Sequence, residues 1–304
     1  MIAASIDIGT NSVLLLVADL DGHNINALKE MESVPCLGKG VDENRTLHPD
    51  SQQRVLDVLN RYKRFLIENY PPIVDKTILT ATSAVRDASN RSEFIDRVKK
   101  ETGWDIHLLS GPQEAQTTFK GALSVLKEQK VRRSVVFDIG GGSTELAFGI
   151  GTSLKRSVSI DMGSVRFTER FFKSYPPEDT SVQSFRHTVQ QLLTDNFSNE
   201  EDIELIGVAG TVTSLAAIFS GIEEYDSDKL NGVQLPQNII KEYISSFSAM
   251  MPADIEATYP AFLTGRGEVI LAGLLIMDEI ISFFGKSEIT VSTGGIRHGI
   301  LLIN

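Results

Sequence analysis

Two stretches of this 304-residue chain repeat one pattern, and the repeat limits the fold more than any other feature. Ser5–Ser12 reads SIDIGTNS, and Val135–Glu145 reads VVFDIGGGSTE. In each case an apolar β-type run, Ile2–Ile6 or Ser134–Phe137, leads into Asp-Ile-Gly and a small polar turn. A second β-type run follows, Val13–Leu20 or Thr144–Ile150, and then a third, Ile25–Met31 or Leu154–Ile160. Strand, Asp-Ile-Gly turn, strand, turn, strand is therefore written twice, headed by Asp7 and by Asp138. Two related domains facing each other are the simplest account.

After each triplet the pattern turns helical. Ser51–Asn69 carries Val55, Val58, Leu59, Tyr62, Phe65 and Leu66 at three- and four-residue spacing, which predicts an amphipathic helix. Lys76–Thr80 reads as a buried strand, Asn90-x-x-Glu93 as a capping box opening a helix to about Glu101, Ile106–Leu109 as a strand, and Ser110 as the start of a helix reaching about Glu128. In the second half, helices are expected at Val165–Phe172, Val182–Phe197, Thr211–Phe219, Ile239–Met250, Gly267–Phe284 and Ile296–Ile303, with strands at Ile203–Val208 and Glu288–Ser292. Strands alternating with helices define an α/β fold. The expected division is a first domain over 1–118, to which a helix at 295–304 returns, and a second over 119–294.

The length suits about two domains, and a chain 41% hydrophobic and 23% charged suits a soluble globular protein. The net charge of −11 argues against a general nucleic-acid binder, which needs a broad basic field. It leaves room for a phosphorylated substrate, since backbone N–H groups, a few arginines and a metal ion hold phosphate without net positive charge. Cys36 is the only cysteine, so no internal disulfide forms, as suits a reducing cytoplasm. The start, MIAASIDIG, lacks the basic segment of a signal peptide. The longest apolar stretch, Val269–Met277, meets Asp278 and Glu279 well short of a membrane span and reads as a buried helix.

A hairpin turn built from glycine directs consecutive N–H groups into one concavity, a natural anion site. Gly140, Gly141 and Gly142 admit close backbone approach, and Ser143 and Thr144 add hydroxyls; Gly9, Thr10, Asn11 and Ser12 offer the same from the other copy. An ordinary tight turn explains either loop alone, whereas two at matched positions favour the anion site. A third turn, Ala209-Gly210-Thr211, opens a helix whose N-terminus attracts anions; capping by Thr211 or Thr213 is the compatible plain account. A fourth, Val291–Ile296, is as well explained by a tight strand-to-helix turn as by a ligand.

Asp7 and Asp138 end apolar strands, where a carboxylate needs a partner. Mg²⁺ takes one or two carboxylates and shares phosphate oxygens, so Asp138 and Glu145 are candidate metal ligands, against turn capping and a solvent-facing strand position respectively. Glu114, in LSGPQEA, falls in the first turn of its helix, which the helix dipole explains better than a general base does. Arg86, in ATSAVRDASN, has the fork that suits phosphate, or pairs with Asp87 or another surface acid; Arg166, Arg266 and Arg297 are weaker candidates of the same kind. The five histidines show no metal-ligand spacing. His107 reads as structural, and His298 is open.

Together, DIGTNS at Asp7–Ser12, ATSAVRDASN at Ala81–Asn90, LSGPQEA at Leu109–Ala115, DIGGGSTE at Asp138–Glu145, GSVR at Gly163–Arg166, GTVT at Gly210–Thr213 and GGIRHG at Gly294–Gly299 resemble the exopolyphosphatase / guanosine pentaphosphate phosphohydrolase family (Ppx/GppA). That family belongs to the actin, Hsp70 and sugar kinase superfamily. The resemblance implies two duplicated actin-like (ribonuclease H-like) α/β domains with an interdomain cleft, and hydrolytic release of a terminal phosphate with Mg²⁺ or another divalent cation. It implies that Glu114 is the catalytic glutamate, that Asp138 and Glu145 are metal-associated, and that Arg86 lies near bound phosphates. It also makes Gly9–Ser12, Gly140–Thr144 and Gly210–Thr211 phosphate-contacting turns. Long members carry further C-terminal helical domains. This chain resembles the short two-domain form, for which shorter polyphosphates are the expected substrate. Glu268 stands where the family often has Asp and receives no role. The expected substrate is inorganic polyphosphate, with guanosine pentaphosphate (pppGpp) as the alternative and an ATP-dependent kinase or nucleotide switch as a more distant one. Neither nucleic acid nor membrane is an expected partner. A homodimer is compatible with the resemblance, although no residue pattern supports it.

Overall fold

The computed structural model describes residues 1–22, 24–126 and 132–303. The chain divides into two compact units, one formed by Met1–Ser124 with Gly294–Asn304, the other by Val125–Thr293.

The first unit is built on the sheet β3-β2-β1-β4-β5, with β1 at Ile2–Ile8, β2 at Val13–Asp21, β3 at Asn24–Ser33, β4 at Ile78–Ala81 and β5 at Ile106–Leu108. The first three strands are antiparallel neighbours, and β4 and β5 join in parallel. Side chains alternate along β1, so Ala4, Ile6 and Ile8 enter one core while Ser5 and Asp7 occupy the other face. Val55, Leu59 and Tyr62 of α2 (Pro49–Asn69) and Phe94 and Val98 of α4 (Arg91–Thr102) fill that core. The short helix α1 (Val41–Asn44) and α3 (Ser83–Asp87) follow β3 and β4. On the opposite face, α5 (Gly111–Ser124) packs with α14 (Ile296–Ile303), whose Ile300 and Leu301 meet Leu16 and Ala18. The helix expected to reach Glu128 thus ends at Ser124, and residues 127 and 128 lie outside those described. The expected capping box at Asn90 is absent: its side chain makes no cap bond and instead exchanges two hydrogen bonds with the backbone of Leu47, tying down the loop before α2.

The second unit repeats the order as β8-β7-β6-β9-β11, with β6 at Arg133–Ile139, β7 at Thr144–Ile150, β8 at Ser153–Ile160, β9 at Glu204–Val208 and β11 at Glu288–Val291. A further edge strand, β10 (Gln234–Pro236), is added beyond β11. Its helices are α6 (Ser164–Phe171), α7 (Asp179–Asn196), α8 (Ala209–Phe219), α9 (Ser227–Leu230), α10 (Gln237–Phe247), α11 (Pro252–Thr258), α12 (Pro260–Leu263) and α13 (Ile270–Phe283). The core joins Val135, Phe137 and Ile139 of β6 to the apolar length of α13. Asp278 and Glu279 in α13 are buried, and each is answered: Arg186 of α7 donates to both, Gln190 to Glu279 and Gln237 to Asp278. Buried charge survives because it is paired and hydrogen-bonded. Among the described residues no helix is long and apolar enough to cross a membrane.

Candidate active site

Each unit presents its Asp-Ile-Gly turn as a rigid hairpin end. In the second unit Gly140 N–H donates to the Ser143 carbonyl (3.0 Å), closing the turn. The turn's carbonyls all point the same way, because the first turn of α6 collects them. Ser164 N–H donates to Gly140 O (2.9 Å), Val165 and Arg166 N–H to Gly141 O (2.9 and 3.0 Å), and Arg166 Nε to Gly142 O (2.7 Å). In a trans peptide the N–H opposes the preceding C=O. The N–H groups of Gly141, Gly142 and Ser143 are therefore all directed away from α6, as three donors for one anion. The buried Ser143 Oγ stands beside them with no hydrogen-bond partner. The Thr144 hydroxyl is committed elsewhere, donating to Met162 O. The contact with α6 depends on Gly163, where a Cβ would sit 2.3 Å from Gly141 O.

Directly behind this turn, Asp138 and Glu145 are opposite partners in the β6–β7 ladder. They share a face, with 8% and 1% exposure. Like charges directly opposite on paired strands are destabilising, and a hard cation offsets that repulsion. Ser159, the partner of Glu145 on β8, donates to Glu145 Oε1 (2.6 Å) and orients it. Among the described residues no three His, Cys, Asp or Glu side chains gather as a complete metal cage. Two carboxylates with a hydroxyl nonetheless fit Mg²⁺, which keeps several waters and takes phosphate oxygens. The solvent-facing alternative for Glu145 is excluded by its burial.

In the first unit Gly9 N–H donates to Ser12 O (2.9 Å), while Gly38 N–H donates to Thr10 O (2.8 Å) and Cys36 N–H to Asn11 O (3.0 Å). The same reasoning directs the N–H groups of Asn11 and Ser12 away from the Cys36–Gly38 segment. The buried Asn11 Nδ2 has no hydrogen-bond partner. Thr10 Oγ1 pairs with Ser83 Oγ (3.0 Å), and Thr80 Oγ1 donates to Asp7 Oδ1 (3.0 Å). Neither Gly38 nor the Cys36–Gly38 strap was singled out by sequence; the signal was a lone Cys-Leu-Gly outside any periodic element.

The same unit holds Glu114, 5% exposed, in the first turn of α5. Gln113 folds back on Ser110 N–H (2.9 Å), a capping arrangement that leaves the Glu114 carboxylate for another partner. That partner is Arg86, whose Nη1 lies 2.9 Å from Glu114 Oε2 and 3.0 Å from Leu109 O. Arg86 is much farther from Asp87, at 3.9 Å. Gly210 and Thr211 open α8 in the second unit, where Val208 is the N-cap and no side chain caps the helix. Thr213 bonds back to Ala209 O instead of capping, and the Arg266 guanidinium lies against Gly210. The fourth turn is a strand-to-helix turn fixed by Asn231, which accepts from Thr293 N–H (2.8 Å). His107 is exposed on β5, and His298 is buried.

A duplicated α/β protein carrying glycine hairpin turns, opposed carboxylates and a part-buried Arg–Glu pair is matched by known proteins over nearly its whole length. Residues 16–303 match the Ppx/GppA phosphatase family. The chain is 35% identical over 311 residues to "Bifunctional 3-dehydroquinate synthase/phosphatase" of Fusobacterium nucleatum, covering 98% of this chain and 46% of that protein. It is 30% identical over 316 residues to "Exopolyphosphatase 2" of Mycobacterium tuberculosis, covering 98% and 97%. It is 29% identical to "Guanosine-5'-triphosphate,3'-diphosphate pyrophosphatase" of Vibrio atlanticus, covering 98% and 58%. The chain thus spans about half the length of the first and third of these relatives. The crystal structure of the Aquifex aeolicus Ppx/GppA family member superposes with a TM-score of 0.81 at 31% identity, covering 100% of this chain and 97% of that one. The chain belongs to the Ppx/GppA phosphatase family, and its fold is the actin-like duplicated α/β fold of that family.

Proposed function

We propose that this protein hydrolyses the terminal phosphoanhydride of inorganic polyphosphate and releases orthophosphate. The observation that carries the reading is the pairing of Asp138 with Glu145 at the root of a turn offering three aligned N–H donors. A cation site and an anion site that close together suit a metal-bound phosphate and little else. Asp138 and Glu145 would hold Mg²⁺, which when bound offsets phosphate charge. In the second unit the N–H groups of Gly141, Gly142 and Ser143 and the turn at Gly210–Thr211 bind phosphoryl oxygens, and in the first unit the N–H groups of Asn11 and Ser12 offer the same contact. Glu114 accepts the proton of the attacking water as its oxygen bonds to phosphorus. The bridging P–O bond breaks, and the shortened chain leaves with the electron pair. Arg86, with Nη1 2.9 Å from Glu114 Oε2, fixes the orientation of the Glu114 carboxylate.

Removal of the 5′ γ-phosphate of pppGpp is the second reading, favoured by the name of the Vibrio relative. It is the same chemistry with a different leaving group. Turnover of polyphosphates of defined length and of pppGpp, measured side by side with Mg²⁺, separates the two. Glu114→Gln is expected to cut orthophosphate release by about 10²–10⁴-fold while sparing substrate binding. Full activity in that variant removes Glu114 from the role.

A further inference from the structure

Helices α5 and α14 approach more closely than side chains permit. A Cβ on Gly299 would stand 1.8 Å from the Thr117 carbonyl oxygen, and one on Gly121 2.0 Å from the Gly295 carbonyl oxygen. Both obstacles are backbone atoms, so no rotamer change relieves them. A Cβ on Gly295, four residues earlier and just ahead of α14, meets nothing within 4 Å.

This seam lies one helical turn from Glu114, since Thr117 follows it by three residues on α5. Helix α14 is also anchored on the sheet. Ser5 Oγ of β1 donates to Arg297 O (2.6 Å), Arg297 Nη2 pairs with Glu30 on β3 (2.6 Å), and Ile300 and Leu301 pack on β2. Arg86 is tied to Leu109 O, which lies ahead of α5 and is itself held to the end of β4, Leu109 N–H donating to Ala81 O (3.0 Å). A wedge between α5 and α14 therefore displaces the first turn of α5, and Glu114 with it, while Arg86 stays with Leu109 and β4.

We infer that Gly121 and Gly299 are positioning residues: by letting α14 touch the backbone of α5, they set the Glu114 carboxylate against Arg86 and against the water it activates. The inference rests on the reading of Glu114 as general base. An error of about 1 Å at such a group costs about 10²-fold in rate.

The test measures Mg²⁺-dependent orthophosphate release from polyphosphate, the pH profile of kcat, and hydrogen exchange of the α5 amides. It compares Gly299→Ala, Gly121→Ala, Gly295→Ala, Ser5→Ala and Glu114→Gln. Gly299→Ala and Gly121→Ala are expected to lower kcat by about 10²-fold with little change in KM, the pattern of a lost transition-state interaction. The acid limb of their kcat profiles moves to higher pH, because the carboxylate has lost its cation, and α5 exchanges faster. Gly295→Ala, which adds the same methyl to open space, keeps kcat and the limb. Ser5→Ala loosens α14 without a wedge and shifts both in the same direction by less. It carries the test if the two glycine variants fail to fold by circular dichroism. Equal kcat and equal α5 exchange in Gly299→Ala, Gly121→Ala and Gly295→Ala overturn the inference, as does a rise in KM alone. In the fallback, wild-type kcat and pH limb in Ser5→Ala do so. If Glu114→Gln is inactive while the glycine variants match the native protein, only the positioning claim falls; if Glu114→Gln is fully active, the reading beneath it falls.

Discussion

The hairpin turn of β1–β2 and that of β6–β7 share one backbone plan and differ in what stands behind it. Both close with a glycine N–H on a serine carbonyl, Gly9 to Ser12 and Gly140 to Ser143. Both have their carbonyls gathered by a neighbouring segment packed through a glycine, Gly38 in one case and Gly163 in the other. Behind the second turn, Asp138 faces Glu145; behind the first, Asp7 faces Leu14 and is answered by the Thr80 hydroxyl. The second copy thus sets two carboxylates across from each other, and the first sets one against an apolar residue. Duplication supplied two turns of one backbone plan, and they differ in the residue that stands across the strand from the leading Asp.

That contrast is open to direct attack. Glu145→Gln removes half of the opposed carboxylate pair and is expected to lower Mg²⁺-dependent turnover by about 10²–10³-fold, with a rise in the Mg²⁺ needed for half-maximal rate. Leu14→Gln, at the equivalent ladder position, should leave the Mg²⁺ requirement where it was; a shared shift would erase the distinction between the copies. A methyl at Gly163 meets the Gly141 backbone at 2.3 Å, whereas one at Gly38 meets the Thr10 side chain, Cγ2, at 2.2 Å. Backbone cannot rotate out of the way and a side chain can. Gly163→Ala is expected to cost about 10²-fold in kcat/KM and Gly38→Ala clearly less. Equal losses in steady-state assays would show the two cradles to be supported alike. Ser159→Ala deprives Glu145 of its orienting hydroxyl and should weaken Mg²⁺ about tenfold in a titration of activity.

The smallest expected effect concerns stability. Burial, and then the neighbouring Arg297 charge, push the His298 imidazole well below its ordinary pKa of 6.5. The folded chain therefore stays unprotonated there while the unfolded chain takes up a proton below that pH. The contribution is complete above about pH 6.5 and is lost as pH falls. Urea midpoints at pH 8 and pH 5 should differ more for the native protein than for His298→Gln. Parallel midpoints would place the acid sensitivity elsewhere.

The strand triplets were legible because each needs only a two-residue alternation and a glycine turn, and β7 and α14 fall at the residues expected. Helix ends were less so, because they depend on partners remote in sequence. Asn90 looks like a cap, yet its amide serves Leu47. Gln113, passed over, is the residue that folds back on Ser110. The acids and turns of the candidate site could be read as residue types, but their pairings could not. No local pattern says that Arg86 reaches Glu114 rather than the adjacent Asp87, since that choice is made by the β4–β5 register and the start of α5. Gly163 stood out only as part of a motif, and its purpose required knowing that α6 lies against the glycine turn.

Because residues 296–303 complete the layer over β1 and β2, the unit begun first during synthesis is the last to receive all its parts. The second unit is continuous in the chain and holds its full complement of strands before the ribosome reaches α14. Domains fold as units when their segments are available. Maturation here runs against the direction of translation, with the Glu114-bearing half sealed only after its sibling has emerged.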